Sequence, residues 1–262
     1  MMKLYSESQL LNGADPATVL MADNWHRLCR EHLAVDLEVC CGDFHDDPRF
    51  AANHALLTSS EIRQVDGDGR HVLVLMLHSV EPVEDVLITH ELGHNILKLL
   101  NFCTARPLNR AFGETAAWLN SFSQHPMIYA LQRQHRQDPS RDIDNRARFR
   151  ITELASIGRH VALPLVTGLQ LADDLMHASH PVADELRRLA RTRAPAVMQV
   201  ADKVREVASG YDLTGVAQHE EFLRSAVAAL NLGTDWVFGS EAPLLRADLA
   251  NAERRRRKSA AR

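Results

Sequence analysis

The run VLITHELGHNILKLL, residues 86–100, constrains the fold of this chain more than any other stretch. Ile88, Leu92, Ile96 and Leu99 recur at helical spacing and form one apolar stripe, which predicts a helix over about 83–101 with its back in a core. Glu81, Glu84 and Asp85 lie around its start, where negative charge favours a helix N-terminus. The same helix carries His90, Glu91 and His94, and polar groups on a buried helix need partners. The fold must therefore supply something for these three side chains to face.

Positions i and i+4 lie about 40° apart around a helix axis and one turn apart along it. His90 and His94 can thus direct their imidazoles at one point, the arrangement two zinc ligands require. Glu91 lies about 100° further round, placed to reach a water on such an ion rather than the ion itself. The chemistry that follows is hydrolysis: the ion activates the water and polarises a carbonyl, and Glu91 acts as general base and then acid. The plainer alternative is two histidines that happen to share one helix face.

Composition limits the rest. A chain of 262 residues with 45% apolar content can bury a sizeable core, and a net charge of −4 gives no reason to make nucleic acid the main partner. The first residues, MMKLYSESQLLNGADPATVL, lack the apolar stretch of an export signal, and VLVLML at 72–77 is far short of the roughly 20 residues that span a bilayer. Cys29, Cys40, Cys41 and Cys103 form no CxxC pair, so free thiols in a reducing cytoplasm are expected.

Helical spacing runs through 17–34, and alternation over 35–41 predicts a strand. DGDG at 66–69 signals a turn, and RHVLVLMLHS at 70–79 a strand buried on at least one face. Beyond Pro107 the chain reads as helices broken near prolines: LNRAFGETAAWLNSFSQ, then PMIYALQRQH, then three or four more with breaks near Pro164, Pro181 and Gly210. RQDPSRDIDNRARFR, 136–150, is charged and reads as a linker or surface loop. The expected class is α+β: a small sheet packed on the helix that carries the histidines, then a mainly helical C-terminal half. The expected organisation is a metal-binding domain at 1–135, a linker at 136–150, a helical domain at 151–245 and a basic, disordered tail at 246–262.

HELGH at 90–94 resembles the zincin metallopeptidases. The stretch NILKLLNFC that follows lacks the residues of the longer metzincin pattern. Glu114 lies 20 residues after His94 in FGETAAWLN, a spacing similar to that of the gluzincins, in which a second helix supplies a glutamate. The resemblance implies Zn2+ held by His90, His94 and Glu114, with Glu91 as the catalytic base of a peptidase acting on a peptide or protein substrate. The other candidates for the third ligand are His125, Asp138, Asp142 and Asp144, and Glu114 can also be read as a helix N-terminal carboxylate.

Thermolysin-like enzymes have an aspartate four residues after the ligand glutamate to hold a zinc histidine, and here that position is Trp118. Asn120, Ser121 or a backbone carbonyl is left for that role. This departure motivates the alternative of a non-catalytic zincin scaffold used for binding or regulation. HELGH after a short strand also resembles, more loosely, the ImmA/IrrE type of regulatory metallopeptidase. In a zincin-like fold the strand at 70–79 would offer an edge to an extended peptide, and His125, Tyr129 and His135 are the side chains available to steady an oxyanion.

Three further features read as structural. DFHDDP at 43–48 is a solvated turn, and His177 and His180 border a helix end. ERRRRK at 253–258 is a solubilising run with at most weak contact to nucleic acid or acidic lipid.

Overall fold

The structure, a computed structural model, describes residues 4–43, 59–64, 71–77, 84–156 and 163–260. The fold is α+β, with helices dominating the C-terminal half. The expected turns at 43–48 and 66–69 lie, apart from Asp43, outside the described residues. The chain divides into two compact units, Met1–Asn101 with Leu131–Gln137 and Ser240–Arg262, and Phe102–Ala130 with Asp138–Gly239. These interleave along the sequence, unlike the division near 136–150 that composition suggested.

In the first unit, β1 (Leu4–Tyr5), β2 (Val39–Asp43), β3 (Ser59–Gln64) and β4 (His71–Leu77) form one sheet in the order β1-β2-β4-β3. Strand β4 pairs parallel with β2, Val39 opposite Leu73, and antiparallel with β3, Ser59 opposite Met76. It is therefore an inner strand with no edge to offer a peptide, contrary to the sequence expectation. The reason is legible in its composition: Val72, Leu73, Val74 and Leu75 are all fully buried, so both faces are covered, as an unbroken β-branched and apolar run demands.

Helix α1 spans Glu7–Leu10, α2 Pro16–Leu33 and α3 Asp85–Leu99. The stripe Ile88, Leu92, Ile96 and Leu99 on α3 is buried throughout. Asp85 fixes the start of α3 against α2, accepting from the Thr18 hydroxyl at 2.7 Å and the Asp15 amide at 3.1 Å.

His26 on α2 lies between two carboxylates, with Nε2 2.8 Å from Glu7 Oε1 and Nδ1 2.5 Å from Asp36 Oδ1. Burial opposes a positive ring, but the hydrogen bonds to Glu7 and Asp36 outweigh it and raise the His26 pKa above 6.5. Burial would raise the Asp36 pKa, yet its bonds to His26 and Arg30 hold it below the ordinary value. The histidine contribution to stability is thus complete below pH 6.5 and lost as pH rises through the raised pKa, while that of Asp36 is lost as pH falls through its lowered one. Between pH 6 and 8 the wild type should lose more unfolding free energy than His26→Gln in urea titrations; parallel profiles would dismiss the pairing.

The second unit begins with β5 (Cys103–Pro107), which pairs with β6 (Trp236–Ser240), two strands that the sequence reading missed. Helix α4 spans Gly113–Gln134 without interruption. The expected break at Pro126 is absent: the proline lacks an N–H for the carbonyl one turn earlier, but flanking residues Phe122, Ile128 and Tyr129 are buried, and that packing carries the helix across it. Helices α5 (Ser140–Ser156), α6 (Pro164–His177), α7 (His180–Arg193), α8 (Pro195–Ala208) and α9 (His219–Ala229) follow.

Helix α5 replaces most of the linker expected at 136–150. Ile143, Ala147 and Leu154 are buried on it, and Arg146 and Arg150 turn inward to meet aspartates of α6. Composition misleads here because it counts charge as exposure. The tail expected to be disordered is likewise a helix, α10 (Ala242–Ala260), which belongs to the first unit and buries Leu249. Its alanine, glutamate and arginine content favours helix whether or not it packs.

Candidate metal centre

Helix α3 places His90 and Glu91 in buried positions and His94 in a half-buried one. The imidazoles of His90 and His94 stand edge to face with centroids 5.0 Å apart, as the i, i+4 spacing requires. Asn95 donates from Nδ2 to the Glu91 carbonyl at 2.8 Å, tying the next turn to the one that holds the glutamate.

The third group comes from α4. Residues 131–137 pack in the first unit, where Gln132 Nε2 donates to the Val86 carbonyl and the Thr89 hydroxyl of α3, both at 2.9 Å. Thr89 also donates to Gln137, whose amide reaches Asp15 at 3.2 Å. His125 lies seven residues before Gln132 on the same unbroken helix, two turns back and about 20° round, hence on the same face. One ligand atom from each of His90, His94 and His125 falls within a group whose members are all within 4.8 Å of one another.

On sequence His125 is one of the alternatives for the third ligand, behind Glu114. The structure places Glu114 in the exposed first turn of α4, about 16 Å along the axis from His125. It is the helix N-terminal carboxylate rather than part of the histidine group. Asp138 caps Ser140, Asp142 lies 3.8 Å from Arg146, and Asp144 accepts from the amide and hydroxyl of Ser179 at 2.7 Å. Asn120, considered as a histidine partner, instead bridges the backbone of Ala105, accepting at 2.8 Å and donating at 3.0 Å.

Behind His125 lies a polar layer within the second unit. Its Nδ1 is 2.8 Å from Asp173 Oδ2 on α6, and both residues are about 3% exposed. Arg146 on α5 reaches the same oxygen at 3.5 Å and donates to the Tyr129 hydroxyl at 2.5 Å. Tyr129 lies one turn along α4 from His125, the two rings tilted with centroids 5.3 Å apart, and meets His177 edge to face at 4.8 Å. Burial works against charge on Arg146, but Tyr129 and the aspartates 173, 174 and 142 around it hold the guanidinium protonated. Burial drives the Tyr129 phenol well above its usual pKa, only partly opposed by Arg146. The Tyr129 hydroxyl accepts from Arg146 within this layer, and His177 belongs to it as well.

Three imidazoles are neutral donors that leave a bound cation its full charge, and this donor set suits zinc, copper, iron or nickel better than magnesium or calcium. The site can therefore hold a metal ion, with a buried carboxylate beside it. No family model, curated protein or solved structure matches the chain.

Proposed function

We propose that the protein is a zinc-dependent peptidase, with His90, His94 and His125 as the metal ligands and Glu91 as general base. The observation that carries this reading is the convergence of three histidine ligand atoms within 4.8 Å next to a buried glutamate. A bound zinc would supply Lewis acidity to a substrate carbonyl and to a water molecule. The three histidines would hold the ion through neutral nitrogen donors. Glu91 takes the proton of the attacking water at its carboxylate and returns it to the departing amine nitrogen. Its place on α3, next to His90 and about 100° round the helix, keeps it out of the ligand set and within reach of that water.

The substrate class is peptide or protein, the ordinary target of this ligand-and-base arrangement. We place the protein in the cytoplasm. All four cysteines are buried, and burial pushes the thiols of Cys29 and Cys103 up to about 12 and about 11. Among the described residues, no helix is long and apolar enough to cross a membrane.

Elemental mass spectrometry on untagged protein tests the ligand set. About one zinc per chain is expected in the wild type and in Glu114→Ala, and loss of it in His94→Ala and His125→Ala. A wild type that stays empty after reconstitution removes the enzyme reading. Zinc retained by His125→Ala and lost by Glu114→Ala would return the third position to the glutamate.

A further inference from the structure

We infer that Asp173 is the positioning residue of the metal centre, with Arg146 as the charge that holds it there. An ionised carboxylate only accepts hydrogen bonds, so its 2.8 Å contact with His125 Nδ1 requires the proton to sit on Nδ1. Nε2 is then the nitrogen that carries the lone pair. One contact thus selects both the tautomer and the ring orientation that a ligand histidine needs.

This role is the one that Trp118 leaves open near the start of α4. It is filled from a different helix, α6, 48 residues beyond His125. The surroundings give Asp173 little freedom. Its carboxylate is 3% exposed, Arg146 Nη2 lies 3.5 Å from the oxygen that meets His125, and His177 Nε2 lies 3.6 Å from the other oxygen. Arg146 is anchored in turn by Tyr129 and Asp142. The guanidinium offsets the aspartate charge, so the buried pair adds no net charge behind the site. A lone buried carboxylate there would be costly.

The inference rests on the histidine group being a metal site, so its test must separate the two. Zinc affinity, measured by competition with a chromophoric chelator, should fall about tenfold in Asp173→Asn and about a hundredfold in Asp173→Ala. Asp144→Asn, which alters an exposed pair on the same bundle, should bind as the wild type does. Cobalt substituted for zinc should show an altered visible spectrum in Asp173→Asn, a change that mere loosening of α6 would not produce in a fully loaded site. Nitrogen NMR of the metal-free wild type should show His125 protonated at Nδ1, a readout that needs no variant to fold.

Wild-type zinc affinity in Asp173→Ala, with helicity retained by circular dichroism, or an Nε2-protonated His125 in the metal-free protein, would overturn the role of Asp173 and leave the metal site standing. Absence of zinc binding in the wild type would instead remove the metal reading itself. An Asp173→Ala protein that fails to fold leaves the decision to the NMR tautomer and to Asp173→Asn.

Discussion

Glu91→Gln is expected to lose peptide hydrolysis by a factor of about 10² to 10⁴ while keeping its zinc, the range for removal of a positioned general base. The glutamine is isosteric, so the turn of α3 that carries His90 and His94 keeps its shape, and the Asn95 bond to the residue 91 carbonyl is a backbone contact that survives. What is removed is the ability to accept a proton. The exchange is therefore more specific than deletion of a ligand, which would abolish activity for any zinc-dependent step. The measurement is cleavage of a diverse peptide mixture, read by mass spectrometry, with zinc content determined on the same samples. Equal background in the wild type and the variant, both loaded with zinc, favours the non-catalytic scaffold.

Gly168→Ala is expected to destabilise the second unit although alanine is the better helix former. On α6 a Cβ at this position would stand 2.5 Å from both Cβ and Cγ1 of Val200 on α8 and 3.1 Å from the Val197 carbonyl. None of these is the far end of a flexible side chain, so one helix must shift. Overpacking of this kind costs about 1–3 kcal/mol, against a propensity gain of about 1 kcal/mol for alanine over glycine. The net loss should lower Tm by up to about 8 °C for a chain of this size. Gly168→Leu should prevent folding. Val200→Gly in the Gly168→Ala background should recover part of the loss, a coupling that only a direct contact produces. A Tm raised in Gly168→Ala would show that the close approach is not there.

Glycine at 168 also illustrates why sequence alone stops short. In the run PLVTGLQLADDL it interrupts a good helix pattern, and nothing nearby says that Val200, 32 positions on, is what it admits. The same limit explains the errors over 136–150. Hydrophobic periodicity reads buried apolar groups well, but Arg146 and Arg150 are half-buried in ion pairs with the buried Asp173 and Asp174, and charges that find partners inside look on paper like surface. Strands β5 and β6 are hidden in the sequence for a related reason, since each is five residues long and stable only through the other.

The sequence by itself determined whatever a single element encloses. His90, Glu91 and His94 share one helix, and the 3.6-residue period settles their relative directions and the burial of Ile88, Leu92, Ile96 and Leu99 behind them. The β4 run likewise carried its own evidence of being covered on at least one face. Tertiary structure decided what crosses between elements: that His125 is grouped with His90 and His94, that Glu114 faces solvent, and that Asp173 meets His125. Spacing along a chain becomes distance in space only while the backbone repeats regularly. Between α3 and α4 the backbone passes through β5 and a turn, so no repeat carries the position of one helix over to the other.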